Sequence, residues 1–228
     1  YKNATSTDTA SILPNDACIK SITWHSDNEN IASVQNGIIR AFAIGETFVV
    51  ATSVQTPEAR DTVRIIVEEL LPASIALPSE ATVVLEGKTT LMASIEPTHA
   101  DNKTIYWQSS NPAIVTVSET GEIQGIALGT ATITAQTING HSSTCEVTVL
   151  PIDATAIALS QKSLSMIVYD VATISASISP SNTTNTNIEW TSSSPTVASV
   201  ENGVITALSY GITTIRATTH NGKIDECV

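Results

Sequence analysis

Charged residues are scarce in this chain. Of its 228 residues only 14% are Asp, Glu, Lys or Arg, where about a quarter is usual in globular domains. Long surface helices depend on such residues, so the scarcity disfavours a helical protein. Ser, Thr and Asn must supply the polar surface instead, and Thr, Val and Ile fit a pleated sheet.

Basic residues are scarcer still. There are 10 Lys and Arg residues against 22 Asp and Glu residues, which gives a net charge of −12. The charge is −3 over residues 1–68, −6 over residues 69–150 and −3 over residues 151–228, so no third of the chain is basic. We therefore expect no binding to nucleic acid and no attraction to anionic lipid.

Long apolar runs are also absent. No stretch of 18 consecutive apolar residues occurs, so we expect no membrane insertion. No secretory leader is visible at Tyr1, where we expect the chain to begin inside a domain.

The chain does contain an internal repeat. Its three tryptophans, Trp24, Trp107 and Trp190, lie 83 residues apart. Each is preceded by a turn proline and followed by two glycines that flank a short strand. These prolines and glycines are Pro14, Gly37 and Gly45, then Pro97, Gly121 and Gly129, then Pro180, Gly203 and Gly211. Self-similarity at a fixed period indicates a tandem array of one module.

Alternation identifies the module as all-β. From Thr130 to Ala135, Thr alternates with apolar Ala or Ile, which is the period of a half-buried strand. Asn139-Gly140 and Asn221-Gly222 are hairpin dipeptides. We predict three tandem β-sandwich domains in a linear array, with domains at 1–68, 69–150 and 151–228. Their joints are short and contain Pro72 and Pro151, so we expect them to be semi-rigid.

Four short motifs recur in each module. In the second they are Trp107–Pro112, Val115–Val117, Gly121–Ile123 and Gly129–Ala135. The third module is close to this pattern. The first departs from it, with Glu29 at the position of Pro112 and Phe48 at that of Thr132. The motifs resemble those of the bacterial immunoglobulin-like group 2 family. The resemblance implies Ig-like β-sandwiches of bacterial surface proteins, adhesins and phage structural proteins, with no shared catalytic site.

The three cysteines lie in different modules. Cys145 and Cys227 occupy equivalent positions in the last strands of the second and third modules, and Cys18 lies just before Trp24. One cysteine per module predicts no disulfide within a domain, while a bridge between domains or molecules stays open as the alternative. We interpret Cys145 and Cys227 as small buried side chains and Cys18 as exposed or half-exposed.

Groups that could catalyse a reaction or bind a metal are few. The histidines are His25, His99, His141 and His220, and they lack the spacing of zinc ligands. No Gly-x-Ser-x-Gly nucleophile motif occurs. The acidic clusters Asp27-Asn28-Glu29 and Asp225-Glu226 are either calcium ligands or, as we prefer, solvated loops. We predict no catalytic, cofactor-binding or metal-binding residues.

Aromatic residues make up only 4% of the chain, which bears on sugar binding. We assign the recurring tryptophans to the core and expect them to be buried. Phe42 aligns with Ile126 and is also assigned to the core. The tyrosines Tyr1, Tyr106, Tyr169 and Tyr210 do not align with one another. A sugar site shared by all modules is therefore not expected, while a site at a single tyrosine stays open.

The first module opens irregularly. It has no counterpart of Ser74–Leu77, the predicted first strand of the second module. Asp8 stands where Leu91 and Ile174 point toward the core, and a buried, unpaired carboxylate is costly. Either this module is a fragment or its opening residues run in a different register. Both interpretations leave an unpaired strand edge, so we expect residues 1–9 to be poorly ordered or a neighbouring molecule to fill the edge.

Two functions fit these features. The first is a non-catalytic stalk or adhesin segment of a bacterial cell surface, in contact with adjacent domains of a longer chain and with a host or neighbouring-cell protein or glycan. The alternative is a set of carbohydrate- or protein-binding accessory modules of a larger extracellular enzyme or phage structural protein. Neither function is that of an enzyme in itself.

Overall fold

The computed structural model describes residues 1–13, 15 and 18–228. All regular structure in this part of the chain is β-strand, which confirms the predicted all-β class. The predicted turn at Pro14 lies outside the described residues. The described chain contains no helix long and apolar enough to cross a membrane.

The strands follow the sequence repeat, and we call the three copies the first, middle and third repeat. The first repeat holds β1 (Thr5–Thr7), β2 (Ile22–Ser26), β3 (Ala32–Gln35), β4 (Ile38–Ala41), β5 (Gly45–Ser53) and β6 (Arg60–Val67). The middle repeat holds β7 (Ser74–Ala76), β8 (Glu80–Val84), β9 (Lys88–Thr90), β10 (Ser94–Glu96), β11 (Ile105–Ser109), β12 (Val115–Val117), β13 (Glu122–Gly125), β14 (Gly129–Thr137) and β15 (Ser142–Leu150). The third repeat holds β16 (Ala156–Leu159), β17 (Val171–Thr173), β18 (Ala176–Ser179), β19 (Ile188–Ser192), β20 (Ala198–Glu201), β21 (Val204–Ala207), β22 (Ile215–Thr219) and β23 (Ile224–Cys227).

The chain forms two compact units. One comprises residues 1–78, 92–108 and 134–144, and it contains the whole first repeat. The other comprises residues 79–91, 109–133 and 145–228, and it contains the whole third repeat. Residues of the middle repeat occur in both units.

The same strand orders recur in the repeats. One sheet has the order β1-β4-β3 in the first repeat, β9-β13-β12 in the middle repeat and β17-β21-β20 in the third. The other sheet has the orders β2-β5-β6, β11-β14-β15-β8 and β19-β22-β23. The opening strands β7 and β16 add the pairs β7-β10 and β16-β18. These orders are those expected of Ig-like sandwiches.

Three equivalent hydrogen bonds establish the register of the opening residues. They run from the N–H of Asp8 to the oxygen of Gly37, from Leu91 to Gly121 and from Ile174 to Gly203, at 2.8, 2.9 and 2.9 Å. Asp8 therefore occupies the position of Leu91 and Ile174, as the alignment indicated, and the alternative of a different register is wrong. Its side chain is half-buried, whereas Leu91 and Ile174 are 5% and 1% exposed.

The tryptophans are half-buried, so the prediction that they are buried is wrong in degree. Trp24 packs against the core residues Ala32, Ile39 and Val49 of the first repeat. Trp190 packs in the same way against the core of the third. The rings of Trp24 and Trp190 each approach a glycine turn, at Gly37 and Gly203 respectively.

That glycine turn tolerates no side chain. Gly203 has a φ of +82°, in the region where L-residues are disfavoured. A Cβ at this position would lie 2.4 Å from the carbonyl oxygen of Ile174 and 3.2 Å from Cζ2 of Trp190. Gly37 is placed equivalently, 2.4 Å from the oxygen of Asp8 and 3.4 Å from Trp24. The turn and the tryptophan therefore constrain each other.

The assignment of Phe42 to the core is wrong. Phe42 is 46% exposed, and the aligned residues Ile126 and Leu208 are exposed to a similar degree. Phe42 directly follows the end of β4, where its N–H donates to the oxygen of Ile31. Strand alternation therefore no longer determines which way its side chain points.

Replacing Trp190 should test the core role of the tryptophans. We expect Trp190→Ala to lower the free energy of unfolding of the third repeat by about 3 kcal/mol, near the lower end for such changes because the ring is half-buried. Urea unfolding followed by circular dichroism measures the loss. Tyr210→Ala is the matched control, since Tyr210 is 95% exposed. Equal effects of the two substitutions would contradict a core role.

Candidate functional site

The cysteines lie where the sequence placed them. Cys145 and Cys227 are buried on β15 and β23, and Cys18 is exposed. All three are free thiols. Burial raises the pKa of the Cys145 and Cys227 thiols. The carboxylate of Glu80 raises the pKa of Cys145 further, whereas Lys162 and Asp225 act in opposite directions on the pKa of Cys227. These two thiols are thus poor nucleophiles, as the interpretation as small core side chains requires.

The histidines are spread over the surface. His25 lies 3.9 Å from Asp27, and His220 lies 3.7 Å from Asp153. His141 and His220 fall in equivalent hairpins, as predicted, and His99 is exposed. In the described part of the chain, no three His, Cys, Asp or Glu side chains group closely enough to hold a metal ion.

The cluster Asp225-Glu226 is not a solvated loop, because it lies on β23. One oxygen of Asp225 accepts the N–H of Leu159 at 2.7 Å, and the other contacts Nζ of Lys162. The contact with Lys162 lowers the pKa of the Asp225 carboxyl below its usual value. Oε1 of Glu226 accepts Nε–H of Arg216 at 2.8 Å. Both carboxylates are therefore already paired with cations of the chain.

The other acidic cluster, Asp27-Asn28-Glu29, follows β2 on the surface. Asn28 receives a hydrogen bond from Asn30 on its side-chain oxygen and donates its N–H to Thr47. These contacts shape a turn, which agrees with the preferred loop interpretation.

The most regular polar arrangement surrounds the two joints between repeats. Nδ2 of Asn139 donates to the oxygen of Pro72 at 2.7 Å. Nδ2 of Asn221 donates to the oxygen of Ala154 at 2.8 Å. Each asparagine is oriented by a threonine two residues earlier, because Thr137 and Thr219 donate their hydroxyl to its Oδ1 at 2.8 and 2.7 Å. The hairpin thus holds the chain that enters its own repeat.

A second pair of contacts holds the same entering chain two residues earlier. Leu70 donates its N–H to Oδ2 of Asp101, and Asp101 returns its own N–H to the oxygen of Leu70, both at 2.8 Å. Ile152 and Thr184 exchange hydrogen bonds in the same way, both at 2.9 Å. We call Asp101, Thr137 and Asn139 the first joint clamp, and Thr184, Thr219 and Asn221 the second.

Sequence analysis identified the Asn-Gly hairpins but missed the clamps. The signal was present, since Thr137-Ile138-Asn139-Gly140 and Thr219-His220-Asn221-Gly222 share Thr-x-Asn-Gly. In an Asn-Gly hairpin the asparagine is already explained as a turn residue. Its bond to the entering chain could be recognised only from the structure, which shows where that chain lies. The first repeat has Ser53 at the threonine position and no asparagine in residues 54–59.

Comparison with known proteins agrees with this repeat structure. The family model of the bacterial Ig-like domain (group 2) matches residues 2–63, 73–147 and 153–227. The chain belongs to this family. The likeness expected from the motifs around the tryptophans is thereby confirmed, with the first repeat matched over a shorter range than the others.

Individual relatives are partial matches. An Ig-like virion protein of Serratia phage KSP90 is 38% identical over 150 residues, which are 63% of this chain and 58% of that protein. An alpha-L-arabinofuranosidase of Bifidobacterium longum is 32% identical over 91 residues, 37% of this chain and 8% of the enzyme. The chain thus spans less than two thirds of the length of either relative. A solved structure of the surface layer protein SbsC, domains 1–6, is 16% identical over 91% of this chain and 32% of that chain, with a TM-score of 0.37, too low to support an argument.

Thiol labelling should separate the cysteines. With a maleimide at pH 8 we expect Cys18 to react within minutes, because it is exposed. Cys145 and Cys227 should react only in denaturant, because burial excludes the reagent and raises their pKa. Cys18→Ser is the control and should take up no label while folded. Fewer than three thiols in the unfolded, unreduced protein would reveal a disulfide.

Loss of a clamp asparagine should loosen its joint. We expect Asn139→Ala to speed amide hydrogen exchange of residues 70–74 about fivefold, since one hydrogen bond contributes about 1 kcal/mol. Gln108→Ala, an exposed change on β11 of the same repeat, is the matched control. Unchanged exchange in Asn139→Ala would show that the asparagine does not hold the joint.

Proposed function

We propose that the chain is a non-catalytic stalk segment of a bacterial surface protein. In this proposal residues 1–68, 69–150 and 151–228 are successive Ig-like domains in a linear array outside the cell. They carry a neighbouring domain of a longer chain away from the surface. The neighbouring domain, or loops at the end of the array, then contact a protein or glycan of a host or neighbouring cell.

The observation that carries this proposal is the recurrence of the joint clamp. A stalk needs short joints that leave the chain little freedom. At both joints the entering chain is held to its own repeat by an Asn to carbonyl bond and an exchanged pair of bonds. Flexible Gly/Ser tracts, which would decouple the domains, do not occur at either joint. Low charge and the family membership fit a spacer that meets solvent on all sides.

Small-angle scattering tests the stalk. A compact globule of this length has a radius of gyration of about 17 Å, and we expect a clearly larger value. In the double variant Asn139→Ala/Asn221→Ala, the distribution of intramolecular distances should broaden because the joints bend more. Gln108→Ala should reproduce the unaltered curve. A value near that of the globule would exclude a linear array.

A second candidate is a binding module of an extracellular enzyme or phage structural protein. Exposed aromatic residues in the third repeat favour it: Tyr169 and Tyr210 are 82% and 95% exposed. Tyr169 donates its N–H to the oxygen of Ala207, which begins the segment leading to Tyr210. The phage and arabinofuranosidase relatives contain similar segments. A glycan array tests this candidate, with Tyr169→Ala and Tyr210→Ala as control variants. Glycan binding that is lost in both variants would favour the binding module over the stalk.

A further inference from the structure

Two of the four Asn-Gly pairs in this chain lie in the joint clamps. Asn36-Gly37 and Asn202-Gly203 form the turns between β3 and β4 and between β20 and β21. Asn139-Gly140 and Asn221-Gly222 lie in the hairpins whose asparagines bind the entering chain. Asparagine is a chemically labile residue, and most of all before glycine, because no side chain then shields the next backbone nitrogen. That nitrogen can attack the side-chain amide of the asparagine.

The reaction is deamidation, and water is its only co-reactant. The glycine nitrogen forms a bond to Cγ of the asparagine, and Nδ2 leaves as ammonia with the proton that the glycine nitrogen loses. Water then opens the resulting succinimide ring. Attack of water at Cγ gives aspartate, and attack at the backbone carbonyl gives isoaspartate, in which the chain continues through the former side chain. Neither product retains the Nδ2 donor.

In the second joint clamp every group that takes part in this reaction is already hydrogen-bonded. The N–H of Gly222 donates to the oxygen of Thr219 at 2.9 Å, which engages the nucleophile. Nδ2 of Asn221 donates to the oxygen of Ala154 at 2.8 Å, and its Oδ1 accepts the hydroxyl of Thr219 at 2.7 Å. The side-chain amide is thus fixed at both ends. Attack of the glycine nitrogen on Cγ therefore requires these hydrogen bonds to break.

The first joint clamp engages the same groups. The N–H of Gly140 donates to the oxygen of Thr137 at 3.0 Å. Nδ2 of Asn139 donates to the oxygen of Pro72 at 2.7 Å, and its Oδ1 accepts the hydroxyl of Thr137 at 2.8 Å. Thr137 and Thr219 are 1% and 2% exposed, so water does not compete for the hydroxyl that orients each asparagine. The asparagine and glycine themselves lie at the surface, where water can reach a succinimide.

The clamp glycines also have open space around them. A Cβ at Gly140 or Gly222 would meet nothing within 4 Å. At Gly37 and Gly203, by contrast, a Cβ would lie 2.4 Å from a carbonyl oxygen. The φ angles of +92° at Gly140 and +81° at Gly222 favour glycine there, rather than any crowding. The surrounding space leaves room for the glycine nitrogen to move toward Cγ once its hydrogen bond has broken.

We propose that each joint clamp is a latent deamidation site, which is unreactive while the clamp is closed and reacts when the clamp opens. Opening releases the glycine nitrogen and the asparagine side chain together, so the succinimide can form. In the aspartate product a carboxylate oxygen replaces Nδ2 opposite the oxygen of Pro72 or Ala154, and two acceptors cannot bond to each other. In isoaspartate the backbone is longer by one carbon. Deamidation therefore makes the opening of a joint irreversible, whatever the function of the array.

Incubation of the full-length chain in mildly alkaline buffer, followed by peptide mapping by mass spectrometry, tests the proposal. We expect Asn139 and Asn221 to deamidate about a hundredfold more slowly in the folded protein than in guanidinium chloride, since three hydrogen bonds must break and each contributes about a factor of five. Thr219→Val removes the hydroxyl but keeps the shape of the buried side chain. It should speed deamidation of Asn221 about fivefold and leave Asn139 unchanged. Thr219→Ser, which retains the hydroxyl, should restore the slow rate.

Asn202 is an internal control, because it lies in the same repeat as Asn221 but outside the clamp. Equal acceleration of both asparagines in Thr219→Val would assign the protection to the fold of the whole repeat and overturn the proposal. Equal rates for Asn221 in the folded and unfolded protein would overturn it as well. Unchanged or slower deamidation in Thr219→Val would also contradict it, because the hydroxyl would then not restrain the side chain.

Asn221→Asp reproduces one product and tests irreversibility. We expect amide hydrogen exchange of residues 152–155 to be about fivefold faster than in the unaltered protein, or more, since one hydrogen bond is lost and two acceptors face each other. Asn221→Ala, which loses the bond without adding a charge, should be affected no more strongly. Unchanged exchange in Asn221→Asp would show that the clamp closes on the product, and would overturn the irreversible opening of the joint.

Discussion

The fold of the middle and third repeats depends on one stretch of backbone that belongs to both sheets. In the middle repeat β7 pairs with β10, and a few residues later β8 covers β15 on the other sheet. In the third repeat β16 pairs with β18, and residues 162–164 reach Val228. The core-facing residues Cys145 and Val147 on β15 and Cys227 on β23 are buried where this stretch covers the last strand. In the first repeat the equivalent residues Val63 and Ile65 are half-buried.

The sequence alone predicted the features that depend on spacing. The repeat of 83 residues, the glycine turns and the alternation of residues 130–135 lead directly to three all-β modules. Side chains at the margins of strands were harder to place. Phe42 follows a strand end, where period-two alternation no longer applies. The tryptophans lie on strands, but their large rings are only partly covered. The sequence predicted a solvated loop at Asp225-Glu226, yet pairing with Lys162 and Arg216 accommodates both carboxylates on β23.

The few charges of this chain mainly position segments. Arg64 pairs with Glu46, Lys88 with Glu122 and Arg216 with Glu226 across neighbouring strands, and such exposed pairs contribute little stability. Asp225 differs, because its side chain is largely covered and also accepts the N–H of Leu159. Its pKa is lowered on folding, so its contribution to stability is complete above the unfolded value of about 4. The contribution is lost as pH falls through the lower folded value.

In the middle repeat the stretch that belongs to both sheets follows the joint. The residues that the first clamp holds, Leu70 and Pro72, directly precede β7, where this stretch begins. Because β8 and β15 are parallel and lie at opposite ends of the repeat in sequence, pulling the two ends apart slides one strand along the other. The hydrogen bonds between these strands are then loaded together rather than opened one at a time. In the proposed stalk, a pull on the two ends of the middle repeat would therefore be resisted by the strand pair β8–β15.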